Sequence, residues 1–151
     1  MEQPLKTQLH LQCVNKVDQR ISELKHILKE AQQAANNETK SSAGDKHETA
    51  RAMAQLETEK LSAQLTDALK LKQSLDVINP KNNHPQIGSG SLVFTNRTIF
   101  YLAVSLGKIN VENQDYFVIS SVSPIGQQLL SKKEKDSFTF NGVEYVIEKV
   151  V

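Results

Sequence analysis

Two carboxylates stand three residues apart in the stretch SSAGDKHET, as Asp45 and Glu48. In a helix that spacing puts both on one face. Such a pair can do two kinds of work. Asp-x-x-Glu at a helix start forms a capping box: Asp45 accepts an N–H near Glu48, and Glu48 reaches back to the Asp45 backbone. Both acids also suit the positive end of a helix. The same oxygens can instead complete a metal site whose other ligands lie elsewhere, because Mg²⁺ keeps several waters and takes only one or two added carboxylates. Spacing alone leaves both readings open. His47 is the only histidine beside the acids, and His10, His26 and His84 are scattered, so no zinc-type cluster forms. Lys40 and Lys46 flank the acids, either as solvated lysines or as contacts to nucleic acid or to the acidic groups of a partner.

The flanking segments must position this pair. Val14, Val17, Ile21, Leu24, Leu28, Ala31 and Ala35 step alternately by three and four residues. That is a heptad seam, which packs one helix along another. After Gly44 a second helix runs from about Lys46 to Ile78, with Ala54, Leu61, Ala68 and Leu75 seven apart and Glu57 and Gln64 among its inward positions. A short connection between two such helices makes an antiparallel hairpin. Residues 1–79 therefore read as a coiled-coil hairpin with its tip near 38–48. Cys13 and Met53 read as packing residues beside the seam.

The character of the chain then changes. All five Phe and all three Tyr follow position 93, and five of the six Gly follow position 87. Pro80, Pro85, Gly88 and Gly90 mark residues 80–90 as a linker. Runs rich in β-branched and aromatic residues at 91–95, 98–106, 115–122, 136–140 and 143–151 read as strands. Asn141-Gly142 joins the last two as a tight hairpin. Ser123 is the N-cap and Pro124 the first residue of a short helix, 125–133, that packs on the sheet through Ile125, Leu129 and Leu130. The fold class is α+β: an antiparallel helical hairpin followed, over 91–151, by a small antiparallel-sheet domain with one short helix.

Charge and composition exclude several functions. The 151 residues carry a formal net charge of +1, so no global field draws the chain to nucleic acid or membrane. One cysteine, Cys13, permits no intrachain disulfide and fits a reducing compartment. No apolar run is long enough to span a bilayer, and the first residues lack the apolar core of a secretory signal, so a cytoplasmic location is expected. There is no Ser-His-Asp set, Cys-His pair or phosphate-binding glycine loop to make a stand-alone hydrolase.

The stretch SPIGQQLLSKKEKD, residues 123–136, resembles the C-terminal signature of Gre-type transcript cleavage factors at Ser123, Pro124, Ile125, Gly126, Leu129, Leu130, Lys132 and Asp136. EYVIEKV, residues 144–150, is similar to the family's closing strand. The family carries glycines within that signature where this chain has Ser131 and Lys135. Its hairpin tip reads Gly-Asp-x-x-Glu-Asn-Ala-Glu-Tyr. Gly44, Asp45 and Glu48 match it, whereas Thr49, Arg51 and Ala52 replace its Asn, Glu and Tyr.

The resemblance implies an FKBP-like C-terminal domain and a monomer that docks on bacterial RNA polymerase. Ser123, Pro124, Ile125 and Asp136 would lie on the docking surface. The hairpin would enter the polymerase secondary channel, where Asp45 and Glu48 would help hold Mg²⁺ and promote cleavage of backtracked transcripts. The chain would then be no enzyme itself but a cofactor of the polymerase's own activity, meeting nucleic acid only inside that complex and no membrane. Two alternatives stand beside it: a channel binder that inhibits or modulates rather than cleaves, and a coiled-coil structural adaptor. A prolyl isomerase is disfavoured, since the aromatics fall at alternating strand positions and there is no Trp.

Overall fold

The computed structural model describes residues 4–40 and 44–151, with side chains described for all of these except 38–40 and 44–47. The chain divides into two compact units: Lys16–Lys72, and Met1–Asn15 together with Gln73–Val151.

The first unit takes in most of two long helices, α1 (Leu5–Lys40) and α2 (Gly44–Asp76), whose residues 5–15 and 73–76 belong to the second unit. They run antiparallel. Lys72 Nζ lies 2.8 Å from Asp18 Oδ1, and nearer the other end Gln32 and Asn36 share a cavity with Arg51 and Gln55. The expected seam is the packed one. Val17, Ile21 and Leu24 are buried on α1, and Leu61 and Ala68 on α2. Leu28, Ala31 and Ala35, further along the same seam, are half-buried. Glu57 does not turn inward as expected. It is exposed, and the half-buried Thr58 takes that position, its hydroxyl donating to the Ala54 carbonyl at 2.9 Å so that no polar group is stranded. Met53, expected to pack beside the seam, is also exposed.

The second unit is a six-stranded sheet: β1 (Leu92–Thr95), β2 (Ile99–Ala103), β3 (Gly107–Val111), β4 (Gln114–Ser120), β5 (Ser137–Phe140) and β6 (Val143–Val150), in the order β3-β4-β2-β1-β6-β5. Neighbours are antiparallel except β2 and β4, which run parallel with Phe100 opposite Phe117. The strand expected over 98–106 stops at Ala103, and β3 is a strand that the sequence pattern does not announce. It joins β4 through a two-residue turn, Glu112-Asn113, with both residues at positive φ. Asn141-Gly142 makes the same kind of turn between β5 and β6, as expected.

Strand alternation gives the sheet two apolar faces. On one, Val93, Phe100, Leu102, Phe138 and Ile147 form a core with Leu129 of α3 (Pro124–Leu129) and with Ile87. Residues 80–90 are therefore tied to the sheet unit. Ile87 donates to the Lys132 carbonyl at 2.8 Å and accepts from Ser131 N–H at 2.9 Å. Side chains of alternate parity along the strands, including Leu92, Tyr101 and Val118, are also fully buried, as are Leu9 and Cys13 of α1 and Leu75 of α2.

Candidate functional site

The hairpin places the two acids at the start of α2. That helix begins at Gly44, so Asp45 falls within its first turn rather than before it, and Glu48 follows three residues later on the same face. Glu48 is exposed. The side chain of Asp45 lies outside the described residues, as do those of Lys40, Lys46 and His47. Carboxylates here meet the unpaired N–H groups and positive end of the helix dipole. Arg51 is exposed three residues beyond Glu48. It lines a shallow cavity together with Gln32, Ala35, Asn36, Gln55 and Thr58.

The signature segment of the sheet unit is built around α3. Ser123 is its N-cap, with Oγ accepting from Gly126 N–H at 3.1 Å and donating to the Ser120 carbonyl at 2.6 Å; Pro124 opens the helix. Gly126 leaves room for that approach: a Cβ there would lie 2.1 Å from the Ser120 carbonyl oxygen. Ile125 is half-buried against the core. The helix ends at Leu129, short of the expected Lys133. Leu130 has extended backbone and is partly exposed, so it does not join Ile125 and Leu129 in packing. Asp136 closes the following turn, its carboxylate accepting from Lys133 N–H at 3.0 Å and its carbonyl from Ile147 N–H at 2.8 Å. Ser123 and Asp136 thus hold local backbone, and Val122, next to Ser123, is 76% exposed.

Ser131 and Lys135 adopt positive φ, +69° and +76°. Ser131 N–H donates to the Ile87 carbonyl and Lys135 N–H to that of Ile147. The left-handed backbone that glycine favours is therefore present at the two positions where the resemblance puts glycines.

Two buried polar groups of the sheet unit carry no obvious mark in the sequence. His10 and Lys6, both on α1, are 8% and 3% exposed. Tyr101 Oη lies 2.7 Å from His10 Nδ1. Desolvation pushes the His10 pKa down, against a hydrogen bond to the Leu75 backbone and the charge of Asp76, which favour the protonated ring. A neutral ring that gives its N–H to the Leu75 carbonyl accepts the Tyr101 proton at Nδ1. Lys6 Nζ donates to the main-chain oxygens of Asn82 and Val151 at 2.5 and 3.0 Å, and burial pushes its pKa down. The spacing of four through Leu5, Leu9, Cys13 and Val17 is the signal that could have placed Lys6 and His10 beside an inward face.

No helix among the described residues is long and apolar enough to cross a membrane. No family model and no curated protein matches the sequence. A solved structure titled "Structure of the transcription factor Gfh1" is similar over 91% of this chain and 92% of its own, with 18% identity and a TM-score of 0.40.

Proposed function

We propose that this chain is an accessory elongation factor of a bacterial RNA polymerase, whose hairpin enters the secondary channel and stimulates cleavage of backtracked transcripts. The observation that carries the reading is the position of Asp45 and Glu48 on one face of the first turn of α2, between two long antiparallel helices, with Glu48 exposed. The left-handed backbone at Ser131 and Lys135 supports the C-terminal resemblance on which the polymerase assignment rests.

Carboxylate oxygens suit Mg²⁺. Among the described residues no group of three or more His, Cys, Asp or Glu could hold a metal ion. The ion's remaining ligands would come from the polymerase and water. When bound, it would stabilise charge on the attacking and leaving oxygens of the phosphodiester. Asp45 and Glu48 would present oxygens to it from one helix turn, and the residues Ser123, Pro124, Ile125 and Asp136 would frame the docking surface.

A second reading, occupation of the channel with inhibition, draws on Arg51. Its guanidinium brings positive charge to the face that carries Glu48, where it competes with a cation. A cleavage assay on backtracked polymerase complexes separates the two. Wild-type protein should stimulate cleavage, and Asp45→Ala or Glu48→Ala should each reduce it by at least about tenfold with binding retained. Binding without cleavage in the wild type supports inhibition; no binding at micromolar protein overturns both.

A further inference from the structure

A cavity of about 300 Å³ opens in the sheet unit where the start of α1 meets the segment after α2 and strands β1 and β6. Its walls combine two characters. Leu5, Leu92 and Phe94 make an apolar surface, and Lys6, Lys81 and Lys149 also line it; among the described residues no acidic side chain does. We propose that this cavity binds a small organic anion with a flat apolar body, the ring lying against Phe94 and Leu92 and the carboxylate or phosphate meeting Lys81 and Lys149.

Each part of the wall argues for such a ligand. The volume sits at the lower end of small-ligand pockets, roughly 300–1,000 Å³, which suits one or two fused rings. Lys6 is almost fully buried, with main-chain oxygens of Asn82 and Val151 as its partners, so it is part of the fixed wall and the anion is left to Lys81 and Lys149. Lys81 and Lys149 are exposed, and among the described residues neither is paired with a carboxylate. The Lys149 ammonium lies 5.9 Å from the Phe94 ring centroid, which holds a charge next to an aromatic wall. Cations of one sign around a low-dielectric hollow focus their potential inward. An anion with an apolar body answers both the charge and the wall, and a neutral molecule of the same shape answers only the wall.

The test uses the full chain and three probes of one shape: 2-naphthoate, 2-naphthyl phosphate and the neutral 2-naphthamide. Methyl signals of Leu5 and Leu92 and ring signals of Phe94 are followed by NMR during titration. Both anions should shift these signals saturably, and the amide should bind about tenfold more weakly or less. Lys81→Gln combined with Lys149→Gln should weaken the anions by about tenfold and leave the amide unchanged. Both lysines are solvent-facing, so the pair of substitutions leaves the core intact. Preference for naphthoate or for naphthyl phosphate assigns the anionic group. Equal binding of the amide and the anions overturns the proposal, as does the absence of saturation up to about 10 mM. Shifts confined to other residues, or anion binding unchanged in the double variant, overturn it as well.

Discussion

The hydroxyl of Tyr101 on β2 lies 2.7 Å from Nδ1 of His10 on α1, and the two rings meet edge-on at 86° with centroids 6.0 Å apart. Both side chains are buried, in a unit whose fully buried residues also include Leu9, Cys13 and Leu75. A polar pair in such surroundings fixes register, because a shifted helix would strand two buried polar groups.

The pair should give the sheet unit a stability plateau with two limbs. Burial lowers the His10 pKa below its ordinary 6.5 and raises that of Tyr101 above its ordinary 10. Below 6.5 the unfolded imidazole takes up a proton that the folded one does not, so stability falls as pH drops. Above 10 the unfolded phenol loses a proton that the folded one keeps, so stability falls as pH rises. Urea midpoints measured from about pH 5 to 11 should show both limbs. His10→Gln should flatten the acid limb and Tyr101→Phe the alkaline one. An unchanged acid limb in His10→Gln would assign it to the carboxylates.

Tyr101→Phe at neutral pH leaves His10 Nδ1 buried without its partner, which should cost about 1–3 kcal/mol. His10→Phe strands the Tyr101 hydroxyl at a similar cost. In the double variant the two costs should not add, leaving a coupling of about 1 kcal/mol or more in a double-mutant cycle on unfolding free energies. Full additivity would mean that the 2.7 Å contact contributes nothing.

At Ser131 and Lys135, glycine should stabilise the protein. A side chain in the left-handed region costs about 1–2 kcal/mol, and glycine's extra freedom in the unfolded chain returns about 0.5–1 of that. Ser131→Gly and Lys135→Gly should therefore each raise stability by about 0.5–1 kcal/mol, or Tm by roughly 1–4 °C. Alanine at the same positions keeps the penalty and should give no gain. Calorimetry on the four single variants decides it.

Local spacing is what made part of this fold legible in the sequence. Val17, Ile21 and Leu24 repeat at the period of a helix seam, and they are buried. Ser123 before Pro124 announces a capped helix, and the cap bond forms. Strand β3 is hidden because Lys108 and Asn110 point outward and its turn, Glu112-Asn113, has no glycine to advertise positive φ. The end of α3 is equally hidden, because apolar Leu130 continues the helical pattern whereas the left-handed Ser131 stops it. The parallel pairing of β2 with β4 joins segments separated by β3, and no local signal encodes it. Of the candidate site, the helix turn carrying Asp45 and Glu48 is legible from Gly44 and the Asp-x-x-Glu spacing. The burial of Lys6 and His10 shows only indirectly, in the spacing of Leu5, Leu9, Cys13 and Val17 beside them, because lysine usually faces water and histidine is found on either side.

Gly126 gives the sharpest test of the signature segment. Its Cβ position is filled by the Ser120 carbonyl oxygen at 2.1 Å and the Ser123 hydroxyl at 2.8 Å, and the nearer of these is backbone that cannot swing away. Gly126→Ala must push α3 off the end of β4 or break the bond from Gly126 N–H to the Ser123 cap. Losing the cap alone costs about 1 kcal/mol, and overpacking adds about 1–3 more. Gly88 is the control, because a Cβ there meets nothing within 4 Å and its φ is not left-handed. Urea unfolding should show Gly126→Ala destabilised by about 2–4 kcal/mol and Gly88→Ala within about 0.5 kcal/mol of wild type. If the polymerase docks on this segment, Gly126→Ala should also lose polymerase affinity at temperatures where circular dichroism still shows the protein folded. Equal stability of the two alanine variants would mean that α3 does not approach Ser120 this closely.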